Sequence, residues 1–167
     1  MESVKPMVRS MKKDDLDGVY EVERNSFSSP WTKPMLADEI SNSNAHYMVI
    51  EAEGKILGYG GFWKIIDEAH ITNVAIHPDY RGRGYGRSLV SALIQRAKDF
   101  NIIAMTLEVR VSNEIAISLY FLKIGTAYRQ SKSFNCKKER IFSNIPAFAI
   151  SSNAFFFAEG ESFNPSR

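Results

Sequence analysis

Gly82, Gly84 and Gly86 alternate with Arg81, Arg83 and Tyr85, and Arg87 follows. Glycine lets a backbone turn with positive φ and lets a ligand approach its amides with no Cβ in the way. The residues after the turn have helical period, and a helix N-terminus presents free N–H groups and a partial positive charge. Together these make an anion site suited to a pyrophosphate, and the three arginines add formal charge around it. The alternative reading of the same residues is a plain glycine-rich turn with solvated arginines. A P-loop needs Gly-Lys-Ser/Thr after its glycines, and none follows. A dinucleotide fingerprint opens a βαβ unit, with an acidic residue about twenty positions on. Glu108 stands near that distance, but the segments before the turn read as an antiparallel meander.

The elements that must hold this turn follow from hydrophobic period. Val4 to Arg9 reads as a short strand. Asp14 or Asp15 can cap a helix carrying Leu16, Val19, Tyr20 and Glu23. Phe27 to Trp31 is a loop, because Ser29-Pro30 breaks helical geometry, and Trp31 is expected to pack that loop against the body. Thr32 caps a second helix, with Pro34 in its first turn and Met35, Leu36 and Ile40 on one face. Tyr47 to Glu51, Ile56 to Trp63 and His70 to His77 read as strands, joined by turns at Glu53-Gly54-Lys55 and near Asp67-Glu68. From Arg87 onward, Leu89, Val90, Leu93, Ile94 and Ala97 make one helical stripe. Met105 to Val111 is a further strand, and Glu114 to Lys123 a further helix capped by Ser112 or Asn113. Ala127 to Phe134 and Arg140 to Ile150 are candidates for a closing hairpin, its second strand broken by Ser143, Asn144 and Pro146. This order predicts an α/β fold of mixed α+β type, a central and mostly antiparallel sheet flanked by helices. Residues 1–150 are expected to form one domain and 151–167 a tail.

Composition narrows the class. A chain of 167 residues, 44% apolar and 24% charged, suits a globular domain with a real core. The formal charge is +2 and no Lys/Arg run exceeds a pair, so no direct nucleic-acid partner is expected. Cys136 is the only cysteine, which excludes an intramolecular disulfide. No apolar run approaches a membrane span and the start lacks a signal-peptide core, so a cytoplasmic protein with no membrane partner is expected. His46, His70 and His77 lack metal-ligand spacing, so no metal site is expected. Cys136 has no evident base partner.

The block Ile71 to Tyr80, followed by Arg81 to Gly86, resembles the strand and the (Arg/Gln)-x-x-Gly-x-(Gly/Ala) loop of the GNAT superfamily of acetyltransferases. Ser26 to Thr32, Leu107 to Asn113 and Ala116 to Tyr120 further resemble its RimI-type members, which acetylate the amino-terminal alanine of a small-subunit ribosomal protein. The resemblance covers Val4 to Tyr120. It implies a GNAT-like fold with a splayed cofactor cleft and acetyl-CoA as co-substrate. As partner it implies a protein or peptide N-terminus, that of a ribosomal protein. It also implies that the backbone of Val74, Ala75 and Ile76 pairs with the pantetheine arm. Arg81, Gly82, Arg83, Gly84, Tyr85, Gly86 and Arg87 would hold the pyrophosphate, and Asn113 would touch the cofactor. Glu108 matches the general base and Tyr120 the general acid.

The chemistry has a use for both. Acetyl transfer to an amine requires that an ammonium lose a proton, that a thioester carbonyl be polarised, and that the departing thiolate be protonated. An α-amino group has a pKa of about 8, so a carboxylate acting directly or through water suffices. Strand alternation puts Thr106, Glu108 and Arg110 on one face, and Met105, Leu107, Val109 and Val111 on a core face. From spacing alone Glu108 reads as an exposed strand residue paired with Arg110 or a neighbour, and Tyr120 as a core aromatic beside Leu119. Asn113 is a helix cap, which is compatible with a cofactor contact. After Tyr120 the resemblance stops. RimI-type chains continue Leu-Tyr-x-Lys-x-Gly-Phe and close with an Asp-Ala strand. Here Lys123 is one place late, Thr126 stands where Phe is expected and no Asp-Ala follows. A reading-frame change and a divergent tail both fit. Two other functions stay open at this point, acetylation of a small-molecule amine and an acyl-CoA-binding module with little turnover.

Overall fold

The computed structural model describes residues 5–110, 126–130 and 138–144, with side chains through 107. β1 (Met7–Ser10), β2 (Ala45–Ala52), β3 (Lys55–Ile65) and β4 (Glu68–Ile76) form the antiparallel meander that the alternating pattern predicts. β5 (Ala104–Arg110) joins β4 in parallel, and the crossover such a pair requires is supplied by α3 (Tyr85–Asp99). β6 (Thr126–Gln130) and β7 (Lys138–Asn144) make the closing hairpin, and β7 pairs with β5. The sheet order is β1-β2-β3-β4-β5-β7-β6, mostly antiparallel with one parallel junction, as expected. β7 ends at Asn144, two residues short of Pro146, which has no amide to give a ladder. The expected helix from Glu114 to Lys123 and the proposed domain boundary at 150 lie outside the described residues.

Helices cover both faces. α1 (Leu16–Ser26) and α2 (Lys33–Ser41) take one, and α3 the other. β2 shows the alternation: Tyr47 and Val49 join the core with Val19, Val22, Trp31 and Leu36, whereas Met48 packs against the core built by Val90, Leu93 and Ala97. Trp31 is 2% exposed, so it does anchor its loop. Thr32 caps α2 as read, its hydroxyl accepting from the Met35 amide at 3.4 Å, an arrangement worth about 1 kcal/mol. The cap expected of Asp14 or Asp15 is not made. Asp15 occupies the position before α1, but its carboxylate accepts two 2.7 Å bonds from Arg9 and one from the Lys12 amide instead. Two charge-assisted bonds outweigh one helix cap, and they hold the Asp15 carboxyl below its usual range.

The pairing of β3 with β4 is interrupted once. Gly61 pairs with Asn73 and Phe62 with Ile71, so Thr72 is an extra residue in β4. Such a bulge breaks the alternation of side chains. Ile71 and Val74 belong to the α3 side, while the consecutive Thr72 and Asn73 both reach side chains on the α1/α2 side. Gly61 is part of the same device. A Cβ there would lie 2.4 Å from the Tyr47 ring, which rests against the bare strand.

Candidate functional site

β4 and β5 pair over only three residues each, Glu68–His70 against Ala104–Thr106. Beyond them β4 continues to Ile76 and β5 to Arg110 with no ladder between the two. The expected splayed cleft is therefore present, and two strand edges face one another across it. Val74, Ala75 and Ile76 are fixed from behind by pairing with Gly60, Tyr59 and Gly58, which leaves their other edge toward the cleft. Glu108 is two positions past the last paired residue of β5, and Thr72 two past the last of β4. The bulge and the candidate base thus sit at the same level along the cleft. Asn113 and Tyr120 lie outside the described residues.

At the end of β4 a short turn, Pro78–Tyr80, leads to the glycine loop. Gly82 has φ 76° and Gly84 φ 82°, a region that costs an ordinary residue about 1–2 kcal/mol. Nothing lies within 4 Å of a Cβ built at either glycine, so backbone angle rather than crowding selects them. α3 starts at Tyr85, two residues earlier than the apolar stripe suggests, because Tyr85 and Gly86 bear no apolar signal yet fit a first turn. Its first intrahelical bond runs from the Ser88 amide to the Gly84 carbonyl at 3.1 Å. The amides of Tyr85, Gly86 and Arg87 precede that bond and have no partner within the helix. An anion with the spread of a pyrophosphate fits this open, amide-bearing turn.

The arginines divide in role. Arg81 folds back so that Nε donates to the Ile76 carbonyl at 2.9 Å, and Arg83 donates to the Asp79 carbonyl at 3.3 Å while stacking over Tyr80. Both brace the loop as well as charging it. Arg87 is exposed on the first turn of α3. Of the histidines, His77 accepts from the Asp79 amide, His70 lies 3.2 Å from Glu68, and His46 stacks on Phe100.

Sequence reasoning missed a set of polar residues behind the cleft. Asn73 Nδ2 donates to Tyr59 Oη at 2.9 Å, and the Tyr59 hydroxyl donates to Glu23 Oε2. Glu23 Oε1 accepts from the Trp31 amide at 2.9 Å. In parallel, Thr72 Oγ1 lies 2.7 Å from Tyr47 Oη, the Tyr47 hydroxyl faces Glu39, and Glu39 accepts from the Trp63 indole at 2.6 Å. Burial pushes both carboxyls up from their ordinary value and both phenols well above theirs. A signal was available for Glu23. It falls seven residues after Leu16 and four after Val19, a carboxylate on the buried stripe of α1.

Residues 16–125 match the model of the acetyltransferase (GNAT) family. The chain belongs to that family. A Bacillus subtilis (strain 168) protein that carries the provisional name of a ribosomal protein bS18-alanine N-acetyltransferase is 46% identical over 117 residues, 70% of this chain and 78% of that protein. The Escherichia coli (strain K12) ribosomal protein bS18-alanine N-acetyltransferase is 32% identical over 115 residues, 68% of this chain and 76% of that protein. A crystal structure of the Escherichia coli ribosomal-protein-S18-alanine N-acetyltransferase superposes with a TM-score of 0.71 at 25% identity, covering 89% of this chain and 99% of that one. A Thermoplasma acidophilum N-acetyltransferase solved with coenzyme A shares the fold, with a TM-score of 0.72 at 17% identity and coverage of 84% and 99%. As a GNAT member, the chain is an N-acetyltransferase. No helix among the described residues is long and apolar enough to cross a membrane.

Proposed function

We propose that this enzyme transfers the acetyl group of acetyl-CoA to a protein N-terminal amine, that of the amino-terminal alanine of small-subunit ribosomal protein bS18, in the cytoplasm. The observation that carries the acceptor is the 46% identity to a relative named for that reaction over 78% of its length. Residues 1–150 act as the single catalytic domain in this reading, and 151–167 as a tail.

In the reaction, acetyl-CoA supplies the activated thioester. The chain's own groups position it and manage the protons. The amides of Gly82 to Arg87, with the charge of Arg81, Arg83 and Arg87, hold the pyrophosphate at the positive end of α3. The cleft-side edge of Val74, Ala75 and Ile76 takes the pantetheine amides as a strand takes a neighbour, with the Ile76 carbonyl also holding Arg81, and Asn113 adds a contact. Glu108 removes the ammonium proton of the acceptor directly or through a water, and the amine nitrogen attacks the acetyl carbon. The Tyr120 phenol gives its proton to the sulfur as the carbon–sulfur bond breaks.

Calorimetry with acetyl-CoA, followed by thiol release on adding a peptide that begins with alanine, tests the reading. Binding followed by rapid release is expected. Glu108→Gln should cut kcat roughly 10²–10⁴-fold with acetyl-CoA affinity unchanged, and an unchanged kcat would remove Glu108 as the base.

A further inference from the structure

The bulge in β4 delivers two consecutive polar side chains, Thr72 and Asn73, into the layer under α1 and α2. Each meets a tyrosine from a neighbouring strand; the Tyr59 hydroxyl gives its proton to Glu23, and the Tyr47 hydroxyl faces Glu39. The two lines are built alike. Tyr47 on β2 and Tyr59 on β3 stack 6.4 Å apart, with Thr72, Tyr47 and Glu39 in one line and Asn73, Tyr59 and Glu23 in the other. Each glutamate is completed by a second donor, the Trp63 indole on Glu39 and the Trp31 amide on Glu23. The Thr72 hydroxyl shares a 2.7 Å bond with Tyr47 Oη and also reaches the Gly61 carbonyl at 3.3 Å. Glu23 is 0% exposed, and a bare carboxylate at such depth is costly unless several donors converge on it. An apolar side chain would fill the same space without that cost. What the carboxylates add is direction, because a hydrogen bond fixes the orientation of the groups that make it.

We propose that Glu23 and Glu39 are positioning residues for acetyl transfer, acting through Tyr59 and Tyr47 to fix Asn73 and Thr72 and so the shape of the β4 bulge at the level of Glu108. The inference rests on the reading that transfer takes place in the cleft between β4 and β5. The bulge is one wall of that cleft and Glu108 lies on the other. Cofactor affinity resides further along β4 and in the glycine loop, so loosening the bulge spoils the geometry of attack without releasing acetyl-CoA. A displacement on the order of 1 Å at a reacting centre can cost about a hundredfold in rate.

The test uses the full chain and the variants Tyr47→Phe, Tyr59→Phe and their double, which remove only the hydroxyls. Turnover on an alanine-initiated peptide and acetyl-CoA affinity are measured well below each unfolding midpoint. Amide hydrogen exchange at Thr72 and Asn73 is followed in the absence of substrates. Each single variant should lose roughly tenfold in kcat with acetyl-CoA Kd within about twofold of the parent. Exchange at Thr72 and Asn73 should accelerate while that of α3 does not. Glu23→Gln, which keeps an acceptor for Tyr59, should retain more kcat than Glu23→Leu. Unchanged exchange at the two bulge amides overturns the proposal, as does a kcat loss that only tracks lost acetyl-CoA affinity. If the parent chain releases no thiol with the peptide, the acceptor reading falls by itself, and the exchange result still decides the clamp.

Discussion

The two faces of the sheet are held by different physics. Under α3 the core is Phe62, Ile71, Val90, Leu93, Ala97, Ile102, Met105 and Leu107, with the half-buried His46 ring against Phe62 and Phe100 at its margin. Under α1 and α2 the buried set also has Val19, Val22, Leu36 and Val49, but Glu23, Tyr59, Asn73, Tyr47 and Thr72 run through it. Dispersion and burial are non-directional, so the first face sets how firmly α3 is attached and tolerates exchange of shapes of equal volume. Hydrogen bonds have direction, so the second face specifies where particular atoms of β4 stand. The glycine loop hangs from the first face, and the bulge is held by the second.

The largest effect that would break this comparison comes from the apolar side. Leu93→Ala should cost about 2–5 kcal/mol in urea unfolding, the range for a fully buried leucine whose cavity cannot collapse. A loss below about 1 kcal/mol would mean that α3 is not attached as described. On the other face, Tyr59→Phe removes one oxygen and leaves the Asn73 amide and Glu23 Oε2 short of partners. It should cost about 1–3 kcal/mol despite the conserved ring.

Acidity separates the faces more sharply. Burial raises the Glu23 and Glu39 carboxyls above 4.5, so the stability they contribute is fully present below 4.5 and is lost as pH rises through the raised values. Unfolding midpoints measured from about pH 4 upward should therefore move in favour of Glu23→Gln relative to the parent, whereas the gap between the parent and Leu93→Ala stays level. Asp15 has the opposite sign. The Arg9 guanidinium holds its carboxyl below 3.8, so its contribution is present above 3.8 and disappears as pH falls through the lowered value. The smallest expected effect lies outside both faces. Ile66, at the β3–β4 turn, has φ 59° and is 87% exposed. Ile66→Gly should raise stability by about 1 kcal/mol by thermal unfolding, since it relieves the left-handed backbone and buries nothing less.

What the sequence displays divides along the same line. The stripe of α3, the meander, the Thr32 cap and the glycine loop are local patterns, each settled by residues within a turn or two, and all four are found. The start of α3 is hidden from pattern because its first two residues, Tyr85 and Gly86, add nothing to an apolar stripe. Asp15 reads as a cap in sequence because the ion pair that claims it comes from β1. The bulge at Thr72 follows from how β4 registers on β3, which no local pattern displays. The partners of Glu23 and Glu39 come from 8 to 36 residues away in the chain, so the carboxylates can be noticed on their helices but not paired. For the site, the loop and the edge of β4 are legible together. Glu108 falls where the strands part, while Asn113 and Tyr120 stand beyond the described residues.

The short ladder between β4 and β5 has a mechanical consequence. Among the described residues, the ladder between the four-stranded half and the three-stranded half is three residue pairs long, with one further backbone bond from the Ile103 amide to the Asp67 carbonyl, so the two halves part like a book from the seam of Glu68–His70 and Ala104–Thr106. The seam is packed tight, with Ala69 and Met105 at 0% and 1% exposure, which makes it a stiff spine under two longer covers. A small rotation there is multiplied along the strands and changes the width at Ile76 more than at Thr72. The level at which Glu108 and the bulge face each other is therefore the part of the cleft whose width such a rotation changes least.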